Sequence, residues 1–391
     1  MFQGNTRIEE SAAEYSVAVA LAGAEREAGL SDFGDLGFKE PLARLIEAGL
    51  QELGFTQVGL QNFKATIQRF LVNRLRLQRD LALYPAILDE DVSDPIVVLG
   101  MPRTGTTKLQ RLLSADPRNH KLALWKLLNP APFEGDTDPP NAARLAFAKI
   151  VEDATRANPD FTMSHETAAD EADEDSFLLL FSFDYPMLHN IFPADSYLSW
   201  VRTRSPLPAH HYERTLLKYL QWQEGGRAAG RWILKNPGHV GHLKALHAVF
   251  PRATFVHSHR DMVDVLASYC YLIESIYKPL YVDVDPREVG RQALLYWKPE
   301  LERYERDRAE LGSQVSILDV PYRSITDDPY PVVREIYARA GLAFTTGAET
   351  AMRAWSDRNQ QHKHGKATYR LERYGLTADI VRGAFPATRL T

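Results

Sequence analysis

The sequence predicts an α/β fold: a central parallel sheet with helices on both faces, three layers in all, carrying a helical extension at its N-terminus. Three observations predict it. From residue 95 onward, short apolar runs alternate with longer stretches of helical periodicity, the pattern of strands joined by crossover helices. The first of these runs passes through a glycine turn directly into a helical stretch. Ahead of it, residues 9–26 and 39–88 carry mostly helix formers and no strand signal.

The extension comes first. Its apolar residues recur at three- and four-residue steps, Leu42, Leu45, Ile46 and Leu50 in one series and Phe70, Leu71, Leu75 and Leu77 in another, with Gly34 and Gly37 as interruptions. Residues 1–92 are assigned to a helical extension packed on the core and residues 93–391 to the α/β domain, the entry marked by Asp91–Pro95. The extension is expected to serve packing, or to pair two copies of the chain as a homodimer.

Ile96–Leu99 reads as a strand buried on both faces, and Leu109, Leu112 and Leu113 give the helix that starts at Thr106 its apolar stripe. Four prolines between Asn129 and Pro140 mark a loop. Residues 141–157 and Glu171–Phe183 follow as helices, the second with an acidic start from Asp170 to Asp175 that suits the helix dipole. Between Phe177 and Tyr219 the chain is rich in aromatic residues, mostly core by expectation, some suited to lining a pocket for an apolar acceptor. Further strands are expected at Arg231–Lys235, Ala253–Ser258 and Val315–Val320. Helices are expected from His239 to Phe250, from Met262 to Ile276 and over 286–311.

Composition narrows the function. A chain of 391 residues with 45% hydrophobic residues has ample material for a core, and a net charge of −5 gives no basic surface for nucleic acid. A single cysteine, Cys270, excludes an internal disulfide and a cysteine zinc site. The N-terminus lacks the layout of a signal peptide, and no apolar run approaches the ~20 residues of a membrane span, so a soluble cytoplasmic protein is expected, not inserted in a membrane.

The chemistry concentrates at Gly100-Met-Pro-Arg103-Thr104-Gly105-Thr106-Thr107-Lys108. A helix start leaves backbone N–H groups unpaired at the positive end of the helix dipole, so a loop placed there binds anions, phosphate above all. The two glycines have the spacing of a nucleotide-binding loop, G-x-x-x-x-G-K-[ST], and Thr107 takes the hydroxyl position, but Thr106 stands where the lysine belongs. With Arg103 ahead of the second glycine and hydroxyls at Thr104, Thr106 and Thr107, the loop suits one terminal phosphate-like group better than a metal-bound triphosphate. Lys235 and Arg260 also fall just past strand ends, where open α/β sheets bind ligands.

Pro102–Thr107 resembles the 5′-phosphosulfate loop of sulfotransferases, which use 3′-phosphoadenosine 5′-phosphosulfate (PAPS) as donor, and within them the bacterial branch of a P-loop-like fold. Four more segments resemble that family in order, covering residues 95 to 376. Arg260 with Ser268, eight residues on, matches its 3′-phosphate motif. Lys235 matches the lysine of its second strand, and Tyr322, followed by Asp-Pro, matches the tyrosine near the adenine. Lys363-His364-Gly365-Lys366 matches the C-terminal loop over the 3′-phosphate.

The resemblance implies PAPS as donor substrate, no metal, and a small-molecule acceptor. The family's animal cytosolic branch has a histidine two residues after the lysine; here Pro237 occupies that place. Ser164–Asp175 resembles the bacterial branch's segment of a histidine followed some nine residues later by Glu-Asp, with Ala172 where a proline is common, and this likeness implies a base at His165 or Glu166, with Glu174 and Asp175 to orient it and His239 as the next candidate. Lys235 and Arg103 would carry the charge on the transferred group. Histidine pairs such as His239 with His242 lack a third ligand at metal spacing in the sequence. A P-loop kinase, or a nucleotide-binding protein without catalysis, are the alternatives.

Overall fold

The computed structural model describes residues 14–136, 141–359 and 369–385. Four parallel strands form the sheet: β1 (Ile96–Leu99), β2 (Ile233–Lys235), β3 (Thr254–His259) and β4 (Ile317–Pro321), in the order β2-β1-β3-β4. Val98 of β1 is level with Lys235 on one side and Val256 on the other. Central strands of a parallel sheet have no wet face, and all four β1 residues are buried.

The alternation of side chains along β1 separates the two helical layers. Ile96 and Val98 point into one cluster with Leu109, Leu112, Val333, Ile336 and Met352, from the helices Thr106–Ser114, Tyr330–Arg339 and Thr346–Arg358. Val97 and Leu99 point the other way, into the large cluster that holds Phe181, Leu243, Leu266 and the N-terminal helices. This is the three-layer, P-loop-like arrangement of an α/β protein.

The N-terminal helices Val17–Ala28, Lys39–Glu52 and Gln57–Leu83 share that second cluster and form no core of their own. Phe63 meets Phe192 edge-on at 4.9 Å between ring centroids, and Phe70 meets Phe181 at 4.6 Å. Thr56 caps the third helix, accepting from the Gly59 N–H at 2.9 Å, while its hydroxyl donates to the Pro279 carbonyl at 2.9 Å. Gly59 itself is required: a Cβ there would lie 1.9 Å from the Leu280 carbonyl oxygen.

Two expectations need correction. The helix expected over Glu171–Phe183 is confined to Ser176–Leu180, and residues 171–175 are non-helical. The acidic residues there hold distant partners instead of capping a helix, and Ala172 makes an antiparallel bridge to Ala123. His239 lies inside a 3-10 turn, Pro237–His242, and the α-helix begins only at Leu243. Beyond Phe183 the aromatic stretch, for which no further elements were expected, leads through the helices Asp195–Val201 and Leu207–Gln223.

Candidate functional site

The loop after β1 is held in a conformation few residues adopt. Gly100 has φ 143°, and a Cβ on it would come within 2.4 Å of the Ser258 carbonyl oxygen. Gly105 has φ 89°, and Arg103, which is not glycine, has φ 71°. A left-handed arginine costs about 1–2 kcal/mol, so its surroundings must over-determine it. They do: Arg103 Nε donates to Ser268 Oγ at 2.9 Å, one terminal nitrogen donates to the Ser164 carbonyl, and Tyr369 lies against the guanidinium. Burial lowers the pKa of this guanidinium, the charges of Tyr369 and Tyr322 offsetting part of the effect.

Thr104 braces the turn from within. Its hydroxyl is buried and bonds the Met101 carbonyl and Ser258 Oγ, each at 2.7 Å, which leaves its backbone as the part it can offer a ligand. Thr106, buried, and Thr107, half-buried, open the helix whose unpaired N–H groups face the loop. Lys108 reaches across to the Thr326 carbonyl at 3.1 Å.

The fold brings Arg260, Ser268 and Tyr322 to this loop. Arg260 Nη1 donates to the Arg103 carbonyl at 3.3 Å, its other nitrogen pairs with Asp264 at 3.1 Å, and its guanidinium lies 4.5 Å from the Tyr322 ring centroid. The Tyr322 ring also passes 3.3 Å from where a Gly105 Cβ would stand. Lys363, His364, Gly365 and Lys366 lie outside the described residues; the described chain resumes at Tyr369, beside Arg103.

The segment carrying His165 and Glu166 is tied to the same loop and helix. Gln110 Nε2 donates to the Asp173 carbonyl at 2.7 Å, and Arg111 donates to the carbonyls of Ala172 (3.1 Å) and Glu166 (2.8 Å) and faces the Glu166 carboxylate at 3.4 Å. Both side chains were missed in the sequence. The available signal was a polar pair set between Leu109 and Leu112 on a buried helix.

Three consecutive acids then take three different basic partners. Asp173 Oδ2 faces His165 Nε2 at 3.5 Å, Glu174 Oε1 binds Lys235 Nζ at 2.8 Å, and Asp175 Oδ2 meets His239 Nε2 at 2.6 Å. The residue orienting His165 is thus Asp173, not Glu174 or Asp175 as expected. Burial opposes ionisation of Asp173, but His165, Lys235 and Arg111 outweigh it and hold the carboxyl well below the usual range.

Lys235, at the end of β2, is fully buried apart from its contact with half-buried Glu174. Deeper still, ligand-capable atoms of Asp175, Glu213 and His239 lie within 4.8 Å of one another, all buried. This supplies the third partner for His239 that sequence spacing does not show. Of the aromatic residues, Phe181, Phe183, Tyr185, Phe192, Tyr197 and Tyr219 are core; Phe177, Trp200 and Tyr212 are half-buried.

Residues 95–346, well over half of the chain, match the sequence profile described as the Sulfotransferase family. The chain is 28% identical over 304 residues to the omega-hydroxy-beta-dihydromenaquinone-9 sulfotransferase Stf3 of Mycobacterium bovis and of Mycobacterium tuberculosis, covering 73% of this chain and 70% of each relative. The fold superposes on the crystal structure of sulfotransferase STF1 from Mycobacterium tuberculosis H37Rv with a TM-score of 0.82 and 30% identity, over 95% of this chain and 98% of that one. For sulfotransferase STF9 from Mycobacterium avium the TM-score is 0.81 and the identity 27%, over 95% of each chain. Together with the glycine loop at the end of a parallel strand, these matches make the chain an enzyme of the sulfotransferase family.

Proposed function

We propose that this enzyme moves a sulfuryl group from PAPS to the hydroxyl, or amine, of a small apolar or aromatic acceptor, releasing adenosine 3′,5′-bisphosphate in the cytoplasm. The observation that carries the reading is the junction of Arg103, Ser268, Arg260 and Tyr322. Two cations, a hydroxyl and a ring meet at one helix N-terminus. Arg103 and the loop amides suit the 5′-phosphosulfate, Arg260 and Ser268 the 3′-phosphate, and Tyr322 the adenine. Among the described residues no helix is long and apolar enough to cross a membrane. A hydroxyl acceptor agrees with the name of the mycobacterial relative.

In the proposed reaction the acceptor oxygen attacks sulfur in line with the bond to the 5′-phosphate, that bond breaks, and the bisphosphate leaves. Lys235 and Arg103 stabilise the charge on the sulfuryl and bridging oxygens. His165 takes the acceptor proton: its Nε2 is turned to Asp173, which orients the ring and leaves Nδ1 for the acceptor. Glu166, held by Arg111, is the lesser candidate.

The test is thermal shift combined with transfer from labelled PAPS to a panel of phenols, alcohols and amines. Without magnesium, the bisphosphate at 100 times its dissociation constant should stabilise the protein by about 2.7 kcal/mol, and ATP with magnesium far less. His165→Ala should cut transfer ~100- to 10,000-fold with bisphosphate affinity intact, and Glu166→Gln less. Equal shifts with ATP and magnesium would mean a kinase; binding without transfer to any acceptor would mean a nucleotide-binding protein.

A further inference from the structure

Beneath the transfer site lies a group of ionisable side chains for which the proposed reaction has no use. Asp175 and Glu213 are each 0% exposed, as are His239 and His210. Glu213 and His210 come from the helix Leu207–Gln223, His239 and His242 from the turn after β2, and Asp175 from the segment before Ser176. His210 Nδ1 contacts Glu213 Oε2 at 2.9 Å and its Nε2 contacts His242 Nδ1 at 3.2 Å. Tyr185 packs edge-on against His210 and His242, and its hydroxyl accepts from Asn236 Nδ2 at 2.9 Å. Burying so many charges without function would be costly.

A bound cation is one way to stabilise such a cluster, and the donor set suits one. The spacing does not. Two ligands of a tetrahedral ion, each about 2.0–2.1 Å from it, stand about 3.3 Å apart. Asp175 Oδ2 and His239 Nε2 are 2.6 Å apart, an ion-pair distance too short for two ligands of one ion. Burial and the neighbouring Asp175 charge push the Glu213 carboxyl well above the usual range. Burial would raise the Asp175 carboxyl too, but the His239 ring outweighs it and holds the carboxyl below the usual range.

We infer that Asp175, His239 and Glu213 form a buried lock that fixes the Asp173-Glu174-Asp175 segment on the end of β2 and thereby positions Glu174 and Lys235 for transfer. The backbone supports the same tie, the Asp175 N–H donating to the Lys235 carbonyl at 3.2 Å. Because Glu174 precedes Asp175 and Lys235 precedes the turn bearing His239, slack in the lock is felt directly at the Lys235–Glu174 contact. The three are positioning residues, each 0% exposed and acting through Glu174 and Lys235. The inference rests on Lys235 acting in transfer as proposed above.

Amide hydrogen exchange over residues 173–176, turnover from PAPS and calorimetric bisphosphate affinity test it together. Asp175→Asn, isosteric but unable to balance His239, should raise exchange there at least tenfold and lower kcat at least tenfold, with bisphosphate Kd within threefold. His239→Gln should do the same. Glu213→Gln, which keeps the shape and a donor, should leave all three within twofold. Unchanged exchange in Asp175→Asn, or faster exchange with unchanged kcat, overturns the lock. So does an equal loss in Glu213→Gln accompanied by one equivalent of metal in the purified parent protein, which would make the cluster a cation site. If the parent transfers nothing from PAPS, the proposed reaction fails, and the exchange readout still decides whether the lock holds the segment.

Discussion

Replacing Lys235 by methionine separates its observed role, counter-charge to Glu174, from its proposed one, electrostatic support for the transferred group. The Lys235 side chain is 1% exposed and that of Glu174 22%, with nitrogen and oxygen 2.8 Å apart. Breaking a buried pair costs about 3–5 kcal/mol, and because Glu174 keeps some contact with water the lower end, about 3 kcal/mol, applies. Scaling the unfolding entropy of about 2.1 cal/mol/K per residue to a chain of 391 residues turns this into a Tm drop of about 4 °C. Turnover should fall ~100- to 1,000-fold, the cost of removing a donor aimed at developing charge. Bisphosphate affinity should change little, since the lysine is expected to act on the sulfuryl oxygens. The decisive comparison adds Glu174→Gln: the double variant regains most of the lost Tm because no carboxylate is stranded, but not the turnover. If the double variant turns over within tenfold of Glu174→Gln alone, Lys235 is only the counter-charge of Glu174 and the catalytic assignment is refuted.

Two further outcomes are expected. Arg260→Ala should weaken adenosine 3′,5′-bisphosphate at least tenfold, the value of one charge-assisted contact, and adenosine 5′-phosphosulfate, which lacks the 3′-phosphate, no more than about threefold through the lost contacts to Tyr322 and the Arg103 carbonyl; equal losses would make Arg260 structural. Glu213→Gln should be stabilising in a pH-dependent way. The parent's Glu213 has a raised pKa, so its contribution is complete below its ordinary value of 4.5 and is lost as pH rises toward the folded-state value. Above pH 4.5 the unfolded chain has released a proton that the folded one retains, so the stability difference between variant and parent should grow by up to about 1.4 kcal/mol per pH unit. A difference independent of pH between 5 and 7 would show that Glu213 is ionised in the fold.

The parts of the site written in local chemistry were legible in the sequence. An apolar run followed by Gly100, Pro102 and Gly105 announces a strand, a tight turn and a helix start, because each residue type has few other uses in that order. The placement of Arg260 just ahead of a helix and Ser268 within it was legible for a similar reason, but not that Ser268 bonds Arg103. The acidic run at 170–175 was misread because carboxylates ahead of an apolar stretch look like a helix start whether or not they cap one. What decided the matter was where His165, Lys235 and His239 arrive in space, and nothing local encodes that. Gln110, Arg111, Glu213 and His210 were hidden in the same way, as polar residues on the buried faces of their helices. The N-terminal helices were legible as helices, but not the surface they cover, which depends on aromatic contacts between Phe63 and Phe192 and between Phe70 and Phe181.

The strand order has a consequence for how the enzyme comes into being. β1, among the first parts of the α/β domain to be synthesised, lies at the centre of the sheet, and both its partners, β2 and β3, are encoded well over a hundred residues downstream. A ribosome-bound chain therefore carries the glycine loop and its helix long before the residues that hold them are made, and closing such long loops is slow. Tyr322, which covers Gly105, emerges later still, after β4. Nascent chains halted before residue 322 should be dependent on holding chaperones and blind to nucleotide, with donor recognition arriving in a single late step of synthesis.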